Sequence, residues 1–519
     1  MRLRTVAVLG GGPGGLYTAR LLRLRMPDCD VRLIEQTEPR QTFGFGVGLA
    51  TRTQRNLQAA DADSFQSILT IAHSHEMTMT VGGHAVTLPS DDLIAVSRSN
   101  LLDVLREHAA AAGVQLDYGD RGYATELAKE VDLVIAADGV SSATREELAV
   151  FGGSVTTADA LYLWAGTDVA LPSALFTPAT TEHGTFVAHA YPYAADRSTF
   201  LVETDEETWR RAGFDVTTEQ TPYDCDDEVA LGYLSDAFAE HLHGHRLIGN
   251  RTRWQRFRTV SCERWHDRNV VLLGDAVHTA HYSIGSGTKL AMEDGIALVD
   301  ALAGAPDLET ALADYEALRR PAVEHLQSTA LRSMRWWDTF PTRLDLPVER
   351  LWIAYMTRAG KVTLDRFATT APEVVRTAIN QYAACLRTTA PSTVGDAATG
   401  RAAATADLPP DAAPEGFTDW VLAHQSPFVD GLPEVFVDID DPRGSEADAL
   451  VKDLDGTAVL LSTSDDREAV LTMLEIAERI RLETPTRVEV RIPTAERDLG
   501  AAALVAGRAD AVHLRGEGR

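Results

Sequence analysis

Six residues near the N-terminus, Gly10-Gly-Gly-Pro-Gly-Gly15, set glycine at positions 10, 12 and 15 in the spacing G-x-G-x-x-G. Gly10, Gly12 and Gly15 would let the backbone approach a pyrophosphate at a helix N-terminus, whose amides and dipole favour an anion. The apolar run Thr5–Leu9 before them reads as a buried strand and Leu16–Leu24 after them as a helix. A second strand, Val31–Glu35, ends on an acid able to accept hydrogen bonds from ribose hydroxyls. The segment predicts a βαβ unit with a dinucleotide bound at its first turn. The fingerprint alone does not separate a nicotinamide from a flavin.

Two later segments separate them. Ile135-Ala-Ala-Asp-Gly-Val-Ser-Ser-Ala-Thr-Arg145 ends a buried strand on Asp138-Gly139. Leu272-Leu-Gly-Asp-Ala-Val-His278 ends another on Gly274-Asp275, and Gly285-Ser-Gly287 then opens a helix. Asp275 is placed for a ribityl hydroxyl, and the Gly285–Gly287 turn would bring amides to a flavin ring. Singly, each is also an ordinary strand-to-turn ending. Their order and wide separation behind an N-terminal fingerprint favour FAD.

This set resembles the single-component FAD aromatic hydroxylases, the p-hydroxybenzoate hydroxylase family, over about residues 1–385. The resemblance implies one dinucleotide site holding FAD, with NADH or NADPH binding transiently as co-substrate. No metal is expected, since the four scattered cysteines offer no zinc site. Arg98, in Val96-Ser-Arg-Ser-Asn-Leu-Leu102, matches the family arginine that contacts the cofactor. An ordinary surface arginine near a helix start fits the residue as well.

The run His281-Tyr-Ser-Ile-Gly-Ser-Gly-Thr-Lys-Leu-Ala-Met-Glu-Asp294 lacks the family's usual proline before the glycines and asparagine after them. In this it is similar to the aryl-CoA branch, the salicylyl-CoA and anthraniloyl-CoA hydroxylases. Thr42–Val47, Ala188–Tyr193, Ser198–Glu203, Arg319–Glu324 and Ser333–Trp337 agree with that branch. The branch implies an aromatic CoA thioester and O2 as small-molecule partners. Salicylyl-CoA going to its 5-hydroxy (gentisyl) product through a flavin hydroperoxide is the leading expectation. Anthraniloyl-CoA, an indole or a carrier-bound aryl acid stays open. So does a non-catalytic escort protein of this fold, against which the intact Glu35, Asp138 and Asp275 argue.

The residues of the pocket itself say less. His281 suits a hydrogen bond to a substrate phenol or thioester oxygen, or a structural place beside the flavin loop; with Tyr282 it is the catalytic candidate. Trp336, Trp337, Phe340 and Tyr282 suit an aromatic wall or plain core. Arg319, Arg320, Arg332, Arg335, Arg358, Lys361 and Arg366 could hold CoA phosphates or form a salt-bridged face. Trp336, Arg335 and Arg358 are the substrate-binding candidates.

The elements that must position these residues imply an α/β fold. A Rossmann-like FAD-binding domain (about 1–50, 96–150 and 266–330) is interleaved with an antiparallel-sheet substrate domain (about 51–95 and 151–265). A helical segment spans about 309–387. Residues 388–415, rich in Ala, Pro, Thr, Asp and Gly, read as a linker. Beyond them, Val435–Ile439, Ala458–Ser462, Arg487–Ile492 and Ala511–Leu514 read as strands of a small α/β domain over 416–519. About 100 residues are too few for a barrel of roughly 250. A barrel fragment or a thioredoxin-like module with a structural or assembly role is expected there.

The formal charge of −28 over 519 residues argues against nucleic acid or anionic membrane as a partner. Four scattered cysteines with no CxxC spacing fit a reduced, cytoplasmic protein. No flavin-linking residue stands in the cofactor motifs, so the FAD should be non-covalent. Acid or heat precipitation of purified protein is expected to release all the yellow chromophore to the supernatant; colour retained in the pellet would contradict this.

Overall fold

Thr5–Leu9 is a central strand, parallel to Asp30–Glu35 on one side and to Leu133–Ala136 on the other. The computed structural model describes residues 3–38, 44–90, 93–285, 287–389, 407–454, 456 and 458–516. Thr42 and Phe43, and residues 390–406 of the expected linker, lie outside them. Among the described residues this sheet runs His266–Asp267, Val270–Leu272, Leu133–Ala136, Thr5–Leu9, Asp30–Glu35, Gln115–Tyr118. All neighbours are parallel except the outer His266–Asp267 pair. Val6, Val8, Leu33, Val134, Ile135 and Val271 are buried, which is why these strands read as continuous apolar runs rather than as alternation.

Helix Pro13–Arg25 packs on Gly287–Gly304 and on Arg98–Ala111. Small residues permit the first approach. A Cβ on Gly14 would lie 2.9 Å from the Ala291 methyl, and one on Gly295 would lie 2.3 Å from Thr18 Oγ1. The cofactor turn and the helix behind Gly274-Asp275 are thereby held against each other.

The second sheet of this unit is antiparallel. Gly153–Thr167 pairs with Arg197–Thr204, which pairs with Gly184–Ala194, which pairs with Ala174–Thr181; Trp254–Cys262 joins the other edge of Gly153–Thr167. Its alternation divides two faces. Leu161, Leu163, Ala188, Ala190, Phe200 and Val202 point into a core closed by Phe214, Leu231, Leu234 and Phe238. Tyr162, His189, Tyr191 and Glu203 take the opposite parity.

By compactness the chain divides into 1–78 with 90–338, and 79–89 with 339–519. The sequence reading placed the helices up to residue 387 with the flavin domain. Instead Val348–Thr357 and Pro372–Thr389 pack on Arg497–Ala506, and Trp352 Nε1 donates to Val86 O at 3.0 Å. Their apolar faces, Leu351, Ile353, Val375 and Ile379, are buried within the second unit. There Glu434–Phe436, Val459–Ser462, Val488–Pro493 and Ala511–Arg515 form a parallel sheet in chain order. One-way winding is that of consecutive barrel units and has no reversal of strand order.

The helix contact is testable. Gly295→Ala should destabilise the protein by about 1–3 kcal/mol through overpacking, and adding Thr18→Ala should recover most of that loss in urea unfolding.

Candidate active site

The fingerprint glycines differ in what surrounds them. Gly10 has φ +103° and a Cβ there would meet Ala137 O at 2.2 Å, while one on Gly15 would meet Gly10 O at 2.0 Å. Both positions are closed to side chains by backbone. Around Gly12 nothing lies within 4 Å, and the helix that it precedes has no side-chain cap. The uncapped helix N-terminus thus begins beside open space, an arrangement that suits a pyrophosphate. Glu35 Oε2 accepts from Gly11 N at 2.6 Å, and Oε1 accepts from Thr37 N and Oγ1. The acid is thus locked beside the turn, where ribose hydroxyls would reach it.

The two later motifs are joined to each other. Asp138 Oδ2 accepts from Thr144 N and Oγ1, at 3.1 and 3.0 Å, in the first turn of the short helix Ala143–Glu147, which Ser142 caps. Its Oδ1 is buried with no hydrogen-bond partner among the described residues. Arg145 donates to Val140 O and to Ala276 O, both at 2.7 Å, tying this turn to the one that carries Asp275.

Asp275 keeps an exposed surface while protein crowds its other sides. That burial raises its carboxyl above the usual range, with the Arg98 charge opposing. Arg98 starts its helix with Nε buried and unpartnered among the described residues, and it lies in the field of Asp275 and Tyr191. Gly285, at φ +60°, and Gly287 also have nothing within 4 Å. Open glycine turns, an orphan arginine Nε and an orphan carboxylate oxygen form a donor and acceptor set that fits FAD.

A buried carboxylate that the sequence reading assigned no role holds this end of the sheet. Asp294 Oδ2 accepts from His278 Nε2 at 2.7 Å and from Gly274 N at 3.2 Å; Oδ1 accepts from Arg319 Nε at 2.7 Å. Burial would raise its carboxyl, but His278 and Arg319 outweigh it and hold it below the usual range. Arg319 is therefore an internal partner rather than a phosphate ligand. Arg320 is likewise internal, donating to Cys262 O, Glu263 O and Glu316.

The antiparallel sheet brings together what no single segment shows. Tyr162 is paired with Glu203 across two strands and Phe176 with His189. His189 Nε2 lies 3.3 Å from Glu203 Oε2. Over this face lie Tyr282, with its ring 4.8 Å from Tyr162, and Trp337, 4.1 Å from His189 and 5.2 Å from Phe176. Trp336 is buried and set edge-on to Trp337 at 4.8 Å.

His281 Nδ1 bonds Ser283 Oγ at 3.0 Å and caps the turn Tyr282–Ile284. Burial pushes its pKa down to about 4, so the imidazole is neutral near neutral pH, with only Nε2 left for a substrate. Arg335 is half-buried on the same long helix, Leu308–Asp338. Phe340 and Arg358 belong to the second unit, where the Arg358 guanidinium lies 3.9 Å over the Tyr355 ring. Among the described residues no group of three or more His, Cys, Asp or Glu is placed to hold a metal, and no helix is long and apolar enough to cross a membrane.

Asp294→Ala would leave His278 and Arg319 buried without their acceptor, so a loss of about 3–5 kcal/mol with poorer FAD retention is expected. Denaturant unfolding and flavin content measure both. Because the folded-state pKa of Asp294 lies below the ordinary value, its stabilisation is complete above about pH 4. It is lost as pH falls through the folded value.

The FAD binding domain family matches residues 124–330. A salicyloyl-CoA 5-hydroxylase of a Streptomyces species is 40% identical over 338 residues, covering 64% of this chain and 65% of that enzyme. The chain thus spans about two thirds of its length. The 3-hydroxy-4-methyl-anthranilyl-[aryl-carrier protein] 5-monooxygenase of Streptosporangium sibiricum is 38% identical over 373 residues, 70% of this chain and 97% of that enzyme. The tetrameric 2-methyl-3-hydroxypyridine-5-carboxylic acid oxygenase shares the fold at TM-score 0.53 and 18% identity, over 72% of this chain and 97% of that one. With a donor and acceptor set that fits FAD and two relatives near 40% identity, this chain belongs to the FAD-dependent aromatic hydroxylases.

Proposed function

We propose that the protein is a flavin monooxygenase that hydroxylates an aromatic ring carried as an acyl thioester, with NADH or NADPH as reductant. Salicylyl-CoA, going to its 5-hydroxy product, is the first substrate in this reading. The observation that carries it is that the two relatives near 40% identity are named for an aryl-CoA and for a carrier-bound aryl acid, both of them thioesters. The carrier-bound form is a second reading, favoured by the 97% coverage of the carrier-protein enzyme.

Bound FAD, once reduced, supplies activated dioxygen for transfer to carbon. The residues of the chain do the rest. Gly12 and the helix behind it would receive the pyrophosphate, Glu35 the ribose, and Asp275 with Arg98 the ribityl and ring end. Asp138 Oδ1 is a further free acceptor. Tyr162, Phe176, Tyr282, Trp336 and Trp337 would hold the aromatic ring and exclude water, which favours oxygen transfer over wasteful release.

Tyr191 and His189 stand two residues apart on the strand Gly184–Ala194, Tyr191 in the field of Arg98. That is roughly 7 Å along the sheet, so the cofactor end and the aromatic face adjoin. Since Arg319 and Arg320 are bound internally, recognition of CoA phosphates is left to other groups, Arg335 among them. The second unit supplies none of the cofactor candidates, and a structural or assembly role is proposed for it.

The test is substrate-stimulated NAD(P)H oxidation, with product analysis, for salicylate, salicylyl-CoA and a carrier-bound salicylyl thioester. A thioester should exceed the free acid in kcat/KM by about tenfold or more, the equivalent of one well-made polar contact. Equal or better turnover of salicylate would contradict the thioester assignment and leave the hydroxylase assignment standing.

A further inference from the structure

This inference rests on the thioester reading above and concerns the arm that carries the ring. The strand Gly153–Thr167 outruns one of its neighbours. Arg197–Thr204 pairs with it only from Leu161 onward, whereas Trp254–Cys262 follows it back to Gly153. Gly153–Thr157 is therefore an edge, and among the described residues no strand pairs with its other side. All five residues are exposed, Val155 at 48%. None of Gly153, Ser154, Val155, Thr156 and Thr157 is charged or proline, the residue types that usually blunt a free edge.

The hydrogen bonds of the partner strand fix which backbone groups face outward. Val155 stands opposite Val260, and Thr157 opposite Arg258. Val260 N donates to Thr279 Oγ1 at 2.8 Å, and Val260 O accepts from Thr279 N and Gln327 Nε2. Arg258 O accepts from Thr279 Oγ1 at 2.7 Å. These groups turn away from Gly153–Thr157, so both pairs are of the kind that exchanges no hydrogen bonds. The N–H and C=O of Val155 and of Thr157 then point out of the free edge, about 7 Å apart. Nearer the aromatic face, the carbonyls of Ala158 and Asp159 are already taken by Arg256.

The same strand carries Tyr162 of the aromatic face. Along the partner strand from Gln255, which faces Tyr162, Thr157 is three residues away and Val155 five, about 10 and 17 Å. Phe257 lies between, its ring 5.8 Å from that of Tyr282, so the aromatic face extends toward the edge. In an extended pantetheine thioester the two amides follow the ring centre at about 9 and 14 Å, from ordinary bond lengths. Each amide has one N–H and one C=O, the complement of one outward-facing residue. We propose that the edge Gly153–Thr157 receives the pantetheine arm of the substrate as an added strand, its inner amide at Thr157 and its outer amide toward Val155. Recognition of the arm then needs no charged side chain. The arm is common to a CoA thioester and a carrier-bound one, so one edge suits both.

The experiment measures dissociation constants of salicylyl-pantetheine and of the salicylyl methyl thioester, which lacks the arm, on the FAD-loaded protein from the flavin absorbance change. Wild type should prefer salicylyl-pantetheine by about tenfold or more. Val155→Pro and Thr157→Pro each remove an outward N–H that the sheet does not use. Each should lower that preference at least about threefold, while the methyl thioester binds as before. A preference unchanged in both variants, or a raised KM for NAD(P)H with thioester binding unchanged, would overturn the proposal. If neither variant folds, amide hydrogen exchange on wild type decides: salicylyl-pantetheine should protect Val155 and Thr157, and no protection would overturn it. Protection by salicylyl-CoA, or only by a carrier-bound salicylyl thioester, supports the proposal and tells which source delivers the arm. Failure of every thioester to bind would overturn the substrate reading and this inference with it. Binding of both model thioesters with equal affinity would overturn this inference alone.

Discussion

Asp294 carries the constraint on which the rest of the cofactor end depends. It is fully buried, and its two oxygens receive a backbone amide and an imidazole from the turn 274–278 and a guanidinium from Arg319. A buried carboxylate is tolerated only when such partners surround it, and removal of any one leaves a stranded polar group. The result is a fixed origin for the turn Gly274–Ala276. From it Asp275 is set opposite Arg98, and Arg145 links the turn to the one after Leu133–Ala136. Through Gly14, Ala291, Thr18 and Gly295, the same helix is held against the helix of the glycine fingerprint.

The antiparallel sheet adds the second half of the site by a different device. Alternation gives one face to Phe200, Val202, Ala188 and Leu163, which form a dry core, and the other to Glu203, His189, Tyr191 and Tyr162. On that second face His189 Nε2 lies 3.3 Å from Glu203 Oε2, and the ring of Tyr282 packs on that of Tyr162. A single register thus builds both the support and the binding surface.

Much of this was legible in the sequence because local chemistry forces it. Gly10 and Gly15 sit where backbone leaves no room for a Cβ, and Thr5–Leu9 and Val270–Leu272 are buried on both faces, so their patterns are unambiguous. The four parallel strands of the C-terminal unit were read within a few residues of their bounds. The aromatic face was not legible in the same way. Glu203 and His189 occur in segments that mark the aryl-CoA branch, yet their pairing depends on strand register, which one-dimensional spacing does not encode. The arginines of the long helix were ambiguous for a related reason. Arg319 finds Asp294 25 residues away in the chain, and nothing in a run of basic residues distinguishes that from a phosphate ligand. The grouping of Val348–Thr357 with the second unit likewise depends on contacts made about 150 residues later, at Arg497–Ala506.

The central claim is that this chain places an aromatic ring against reduced FAD so that oxygen is transferred to carbon. Its most direct test is turnover of salicylyl-CoA with NAD(P)H under isotopically heavy dioxygen, with mass spectrometry of the product. One heavy oxygen atom in the hydroxylated ring, at close to one per reductant oxidised, is the predicted result. A product with no heavy oxygen, or reductant consumption that ends wholly in hydrogen peroxide, would contradict it.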